Sequence, residues 1–440
     1  MKGLEYLRRK LAIKQGRAEI RYKYYEMKKF TPQPDPTIDI RLKNYLGVVG
    51  WCASAVDSLA DRLVFRTFRH DDFGINEIFR ANNADIFTDS AILGALITSC
   101  DFAYIYTGSG TIPKMRVIDG CNATGVMDLD TMLLSEGYAV LERDQETNLP
   151  MLEAYFTAEE TQYYEHGRFA YSVPHRAGIP LLVPIVHRPD AKREFGRSRI
   201  SRACMGYVDS ALQTIRKSEV AAYFYSFPQR YALGFETDDG FDRWKASMTA
   251  MLTIGRDEDG NLPQLGQFQT QSMAPYTDHL KMFASLFAGE TGLTLDDMGF
   301  VTSNPMSDDA IRSSHETLRI KARAAQRSFG TSFRNIGYTA ACLRDGVSYE
   351  RTAFAGLEPV WEPVFEATAS QLGVVGDAIY KINQAIPGYI GPDTVHDMTG
   401  IAPAEDTDEQ RGTDSGNPLG SYFGGVSASN DEGPEAGGTE

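Results

Sequence analysis

Two spacings of apolar positions divide the chain. A step of three or four residues predicts helices over residues 4–25, 45–62, 75–100, 198–227 and 276–287. A step of two residues, interrupted by Gly, Asn and Pro turns, predicts an antiparallel sheet over residues 102–176. Residues 63–68 also have the composition of a strand. These patterns predict an α+β chain.

The longest helical pattern follows at residues 308–343. Asn304 and Pro305 suit the N-cap and the first helical position. Gly330 and Gly337 lie inside the pattern, where each glycine costs about 1 kcal/mol relative to alanine. We therefore expect a bend at these two positions.

Prolines indicate where the regular elements stop. Three prolines within residues 31–39 predict an extended connector and a boundary near residue 35. Three more within residues 179–189 favour an extended crossing segment over a central strand. Residues 231–271 are expected to form a compact region with one helix around Trp244.

Composition places the chain among globular proteins. Its 440 residues are 42% hydrophobic and 23% charged, enough for about three domains at roughly 150 residues each. No apolar run approaches the length of a membrane span, and the N-terminus lacks the apolar core of a signal peptide. We therefore expect an intracellular protein without membrane spans. Five separate cysteines without a CxxC pair are expected to be reduced core thiols, and they are Cys52, Cys100, Cys121, Cys204 and Cys342.

The net charge of −15 is unevenly distributed. Residues 402–440 hold nine acids and one base, which predicts a disordered acidic tail. The first 29 residues hold ten bases and three acids. This basic helix has two interpretations: it lies on nucleic acid or an anionic membrane, or it packs its Leu/Tyr stripe on the protein body. The second interpretation is favoured.

The motifs of common enzymes are incomplete. The sequence has no phosphate-binding G-x-x-x-x-G-K-[ST] loop. His315 and Glu316 lack the second histidine of a zinc helix, and Ser198 lacks the second glycine of a nucleophile elbow. The acidic residues 257–259 lack the first and last ligands of a calcium loop. We predict no catalytic residue, cofactor or metal.

Five segments resemble, in order, the portal proteins of tailed bacteriophages of the siphophage type. They are WCASAVDSLADRLVFRTF (51–68), REFGRSRIS (193–201), SFPQRYALGFE (226–236), DEDGNLPQLGQFQTQS (257–272) and the run from FAGETGLTLDDMGF to AAQRSFG (287–330). The resemblance covers about residues 20–345. It implies a portal fold with a strand-rich wing, an α-helical stem, a small α/β clip, a long kinked helix and a small helical crown, assembled as a ring oligomer.

The resemblance also implies domain boundaries. They are a basic N-terminal helix (1–35), the wing (36–197), stem helix 1 (198–230), the clip (231–272), stem helix 2 (273–289), the tunnel loop (290–307), the long kinked helix of the wing (308–345), the crown (346–401) and the acidic tail (402–440). The apolar stripe on either side of Gly373 and Gly376 is short, so the crown is expected to be small.

The function implied is that of a virion component. A ring of about twelve copies at one capsid vertex would conduct double-stranded DNA during packaging and ejection. The partners implied are other copies of the chain, the large terminase, an adaptor or neck protein, the major capsid protein and the scaffold. The chain would be synthesised in the cytoplasm of the host bacterium and would contact no membrane.

The resemblance places candidate functional residues in two regions. In the tunnel loop, Asp296 and Asp297 would repel phosphate while Met298 and Phe300 pack against neighbouring loops, unless these residues only fill a turn. The bases of the following helix would face DNA phosphate or, as we favour, a neighbour's acids. The candidates for the partner surface of the clip are Trp244, Asp257 and Asp259.

Two alternative functions come from the basic segments. An intracellular nucleic-acid-binding enzyme or accessory factor would grip DNA with the N-terminal helix and with residues 308–344, and its binding would depend steeply on salt. A peripheral membrane protein would instead be anchored by residues 2–29.

Overall fold

The structure, a computed structural model, describes residues 2–28, 48–108, 110–226, 230–233, 264–267, 272–300, 313–365 and 369–401. The chain divides into two compact units, Met1–Glu366 and Ala367–Glu440. Several predictions fall outside the described residues: the boundary near residue 35, the helix around Trp244, the helix start at Asn304 and the acidic tail.

Helices of the first unit follow the predicted pattern closely. They are α1 (Leu4–Glu26), α2 (Trp51–Ala60), α3 (Ile75–Arg80), α4 (Ala84–Thr98), α5 (Arg202–Ser226), α6 (Ala274–Thr291) and α7 (Glu316–Asp345), with a 3-10 turn at Arg351–Phe354. The helix predicted over residues 75–100 is divided into α3 and α4 because Asn83 adopts a left-handed conformation with φ 52°.

The predicted antiparallel region is confirmed. Five strands form one antiparallel sheet in chain order: β4 (Ala123–Met127), β5 (Leu134–Arg143), β6 (Pro150–Phe156), β7 (Glu160–Glu165) and β8 (Arg168–Pro174). Smaller sheets are formed by β2 (Cys100–Tyr106) between β3 (Lys114–Ile118) and β9 (Leu182–Val186), by β1 (Phe65–Arg69) with β12 (Glu358–Trp361), and by β10 (Arg230–Leu233) with β11 (Gln264–Gln267).

Strand β9 corrects one prediction. The proline-rich segment 179–189 does not simply cross the surface, because its residues Leu182–Val186 are buried and pair with β2. Pro184 lies opposite Phe102 in this pairing. The prolines are tolerated because β9 is an edge strand, whose outer side needs no N–H donor.

Helix α7 runs through the centre of the core. Phe333 is fully buried, with ring centroids 5.2 Å from Phe65, 6.4 Å from Phe79 and 5.8 Å from Trp361. The helix contacts β9 and β12, so it joins two of the three smaller sheets. The buried apolar stripe predicted for this helix is therefore the main support of the first unit.

The glycines of α7 allow close packing. The helix is continuous through Gly330 and Gly337, and the bend expected there stays a prediction. A Cβ at position 337 would lie 2.6 Å from Ile75 Cγ2, and one at position 330 would lie 3.1 Å from Pro359 Cγ. Each glycine therefore lets a neighbouring side chain approach the helix axis.

We predict that Gly337→Val lowers the free energy of unfolding by about 1–3 kcal/mol, because the added side chain overlaps Ile75 and the packed core must shift. Urea denaturation of the purified protein measures the change. Gly16→Ala is the matched control, since a Cβ there meets no atom within 4 Å. The control should be neutral or stabilising by up to about 1 kcal/mol. Equal losses in both variants would contradict the packing argument.

The basic helix α1 packs on the body of the protein, as favoured from the sequence. Leu7 and Leu11 are buried in a small cluster with Tyr138, Val140 and Tyr155 of the large sheet. The bases of its first turns have partners within the chain. The Arg8 guanidinium pairs with Glu153, the Lys10 ammonium donates to the Gly125 carbonyl at 2.7 Å, and the Lys14 ammonium donates to the Ala123 carbonyl at 3.3 Å.

Two further expectations can be compared with the structure. All five cysteines are buried and unpaired, as expected for core thiols. Among the described residues, no helix combines the length and apolar character needed to cross a membrane.

A carboxyl group is enclosed next to the buried end of Lys14. Asp101 is 1% exposed, and its Oδ1 accepts hydrogen bonds from Thr98 Oγ1 at 2.8 Å and from the Gly120 N–H at 2.9 Å. Burial raises the pKa of Asp101 from 3.8 to about 7. Burial also lowers the pKa of Lys14.

The pKa of Asp101 predicts a pH effect on stability. Between about pH 4 and 7 the folded chain holds this proton more tightly than the unfolded chain, so Asp101 lowers the free energy of unfolding as pH rises. His187 acts in the opposite direction, since burial lowers its pKa to about 4. The free energy of unfolding of the Asp101→Asn variant, minus that of the parent, should therefore increase from pH 4 to pH 7. Urea denaturation across this range checks it, and a constant difference would contradict it.

The second unit is described as two helices, α8 (Ala369–Ala385) and α9 (Pro392–Thr399). Helix α8 is continuous through Gly373 and Gly376. Residues 346–365, which the sequence assigned to the crown, instead lie in the first unit, where β12 pairs with β1.

Candidate functional site

Helices α5 and α6 form an antiparallel hairpin. The Ser201 hydroxyl, just before α5, donates to Glu290 Oε1 near the end of α6 at 2.8 Å. Farther along, Thr214 Oγ1 lies 3.4 Å from His279 Nδ1. The two predicted stem helices are therefore neighbours that run in opposite directions.

A short strand pair lies beyond the hairpin. Strand β10 follows α5 and pairs antiparallel with β11, which precedes α6. The predicted clip residues Trp244, Asp257 and Asp259 fall between these strands in sequence and lie outside the described residues. The proposed partner surface of the clip stays a prediction.

The base of the hairpin is held by Arg199, a residue whose role the sequence analysis missed. Arg199 is 9% exposed and donates to the carbonyls of Ala55 in α2 at 3.2 Å and Thr291 in α6 at 2.5 Å. Burial and the nearby charge of Arg188 lower its pKa to about 10. The residue lies in a segment that carried the family resemblance, but sequence spacing alone does not reveal which carbonyls it reaches.

The predicted tunnel loop begins where α6 ends. Gly292 has φ 76°, and a Cβ there would lie 2.8 Å from Thr317 Cγ2 of α7. The Lys321 ammonium donates to the Glu290 carbonyl at 2.9 Å, and burial together with the Arg199 charge lowers the pKa of Lys321 to about 8. The start of the loop is thereby fixed against α7.

A hydrogen-bonded turn positions the candidate loop residues. Asp297 Oδ2 accepts from the Thr294 N–H at 2.8 Å and from the Thr294 hydroxyl at 2.9 Å, and it lies 3.8 Å from His315 Nδ1. Asp296 is half-buried, whereas Asp297 is exposed. A carboxylate at position 297 therefore shapes the turn and also presents negative charge to solvent.

The two apolar loop candidates contact the core of their own chain. Met298 is 7% exposed, and Phe300 is half-buried against the same core. Met298 is packed within its own chain, as in the alternative in which these residues fill a turn, and its contact with a neighbouring loop stays a prediction. Residues 301–307 of the predicted loop lie outside the described residues.

The outer face of α7 is basic. Ile320 is 58% exposed, and Arg323 and Arg327 are exposed beside it. Arg319 pairs with Glu316 at 2.6 Å. Both predicted partners of these bases, DNA phosphate and a neighbour's acids, stay open.

The described residues contain no group of three or more His, Cys, Asp or Glu side chains placed to hold a metal ion. The hairpin and the loop are fixed to the body at their bases, and their outer faces are exposed. The first unit combines a body of mixed α and β structure with an antiparallel helical hairpin. A strand pair follows at the far end of the hairpin. This is the element order predicted for a portal-type subunit.

Comparisons with known proteins agree with this class. The chain is 24% identical over 387 residues to the portal protein of Mycobacterium phage L5, covering 82% of this chain and 78% of that protein. It is 23% identical over 386 residues to the portal protein of Mycobacterium phage D29, with coverage of 82% and 79%. The resemblance to phage portal proteins is thereby confirmed. No family model matches the chain.

Two solved structures are also similar, each at 12% identity. One is a chain of the virion of the native gene transfer agent (GTA) particle, with a TM-score of 0.44 and coverage of 88% of this chain and 99% of that chain. The other is a chain of the neck of the native GTA particle computed with C12 symmetry, with a TM-score of 0.45 and coverage of 86% and 98%.

Proposed function

We propose that this chain is the subunit of a phage portal, a ring of about twelve copies at one vertex of the capsid through which double-stranded DNA enters and leaves. The observation that carries the proposal is the similarity to two phage portal proteins over 82% of the chain. The role is structural rather than enzymatic. The partners are the large terminase, an adaptor or neck protein, the major capsid protein and the scaffold.

The outer face of α6 supports assembly into a ring. Met282 and Leu286 lie one turn apart on this helix and are each 45% exposed. A cyclic ring requires different surfaces on the two sides of every subunit. Exposed apolar side chains on the outer face of this helix suit a contact with the next copy.

Charge supports a conduit that does not hold DNA tightly. Twelve copies at −15 each would carry about −180 in total. Tight binding to DNA requires cationic contacts that release counterions. We place Asp296 and Asp297 at the channel, where their carboxylates would repel phosphate and keep the duplex free to slide.

Native mass and negative-stain images of the full-length protein test this function. A ring with a central hole and about twelve times the subunit mass of 48.7 kDa is expected. Met282→Asp combined with Leu286→Asp should abolish the ring, because a charge would enter the subunit contact. Ile13→Asp, at a position 66% exposed on α1, is the control and should still form rings. A parent protein that stays monomeric even with capsid protein and scaffold present would contradict the proposal.

A further inference from the structure

Four arginine side chains converge beside the second half of α1. Arg17 and Arg21 lie one turn apart on this helix, Arg193 belongs to the turn before α5, and Arg202 is the first residue of α5. The charges of Arg17, Arg193 and Arg202 all act on the Arg21 guanidinium. We call these four residues the arginine cluster.

Neighbouring contacts fix the position of the cluster. The Lys10 ammonium lies 4.6 Å from the centroid of the Phe195 ring, so the turn that carries Arg193 runs along α1. The Tyr24 hydroxyl donates to Asp209 Oδ1 at 2.8 Å, so α5 also lies against α1. Arg21 lies between Lys10 and Tyr24 in the sequence of α1 and is half-buried.

Within the part of the chain that the structure describes, no carboxylate pairs with the arginine cluster. Within the described residues, none of the four guanidinium groups has a hydrogen bond or an ion pair, and the buried Arg21 Nε has no acceptor. Burial and the three other guanidinium charges lower the pKa of Arg21. Two other enclosed arginines have partners at their guanidinium groups: Arg8 pairs with Glu153, and Arg199 donates to two carbonyls.

We propose that the arginine cluster binds phosphate groups of the double-stranded DNA backbone. Four like charges held together repel one another, and an anion offsets that repulsion. The planar guanidinium fork matches two phosphate oxygens at once. One carboxylate would neutralise a single arginine, whereas duplex DNA presents about one negative charge per 1.7 Å of its axis.

The proposal adds a local phosphate contact on the body of the subunit, separate from the tunnel loop, where the acidic side chains are proposed to repel DNA. It rests on the proposed function, which brings double-stranded DNA to this protein. It also divides α1 by role. The apolar stripe and the bases near its start hold the helix on the body, while Arg17 and Arg21 remain available to an external anion.

Salt-dependent binding of a fluorescent DNA duplex to the full-length protein tests the proposal. The logarithm of the affinity should fall linearly with the logarithm of the salt concentration, and the slope should shrink by about 0.9 for each phosphate contact removed. Arg17→Gln with Arg21→Gln, and separately Arg193→Gln with Arg202→Gln, should each reduce the slope by about 2. Arg168→Gln with Arg176→Gln, at two exposed positions outside the cluster, is the control and should leave the slope unchanged.

Native mass measured on the same samples separates this proposal from the proposed function. Parent rings whose salt slope is unchanged by both cluster variants would overturn the phosphate site and leave the portal function standing. A cluster-dependent slope in a protein that never forms rings would support the site and overturn the portal function. Cluster variants that lose the ring but keep the parent slope would overturn the site, because the cluster would then bind a neighbour's carboxylates.

Discussion

Replacing Asp296 and Asp297 with lysine should leave rings intact and reduce the yield of packaged DNA by about tenfold, a factor that corresponds to about 1.4 kcal/mol. The physical reason is the sign of the charge at the channel. Two unit charges 4 Å apart interact by about 1 kcal/mol in water and about 4 kcal/mol near a protein surface. Each lysine would therefore turn a repulsive encounter with phosphate into an attractive one and slow the duplex.

The structure sharpens the design of this experiment. Asp297 also accepts two hydrogen bonds from Thr294, so a lysine there removes the support of the turn together with its charge. Asp297→Asn keeps an acceptor oxygen and removes the charge, which makes it the matched control. Packaged DNA is measured as nuclease-protected DNA per particle, with ring mass determined in parallel. Normal packaging by the lysine variant with intact rings would contradict a channel-lining role.

Replacing Arg8 with methionine should destabilise the first unit by about 3 kcal/mol. The Arg8 guanidinium donates to both oxygens of Glu153, at 3.2 Å and 2.8 Å, and Glu153 is 4% exposed. Removing the arginine leaves the carboxylate enclosed, and among the described residues its remaining donor is the hydroxyl of Tyr138. An unpaired buried charge is far more costly than the loss of an exposed ion pair.

Urea denaturation measures this effect, and two variants control it. Arg9→Met removes an exposed arginine of the same helix and should change stability by less than about 0.5 kcal/mol. Adding Glu153→Gln to the Arg8 variant should recover part of the loss, because the amide carries no charge. If the Arg8 and Arg9 variants lose the same stability, the pairing with Glu153 is not what holds α1.

Periodicity predicted those parts of the fold that depend on one buried face. The apolar stripe of α7, and the short apolar segments separated by turn residues between positions 102 and 176, are patterns of neighbouring residues, so these elements were predicted correctly. The segment containing Pro184 was not, because its pairing depends on which strand lies beside it. A proline is tolerated in a strand at the edge of a sheet, and the sequence does not show which strands lie at an edge.

The candidate site was predicted less completely than the fold. The order of the two stem helices came from the resemblance, and the structure brings them together. The contacts of Arg199 join residues more than ninety positions apart, and no local pattern reports such a contact. The burial of Met298 likewise depends on how α6 meets the core. The sequence shows that residue 297 is polar and residue 298 is apolar, but it does not show which part of the protein the apolar side chain contacts.

The root of the helical hairpin has a mechanical consequence. Arg199 ties the last carbonyl of α6 to α2, and Lys321 ties the neighbouring carbonyl of Glu290 to α7. The hairpin cannot tilt at its root without breaking hydrogen bonds to both helices. A load applied at its far end is therefore transmitted as torque into the body of the subunit, and the hairpin behaves as a stiff lever.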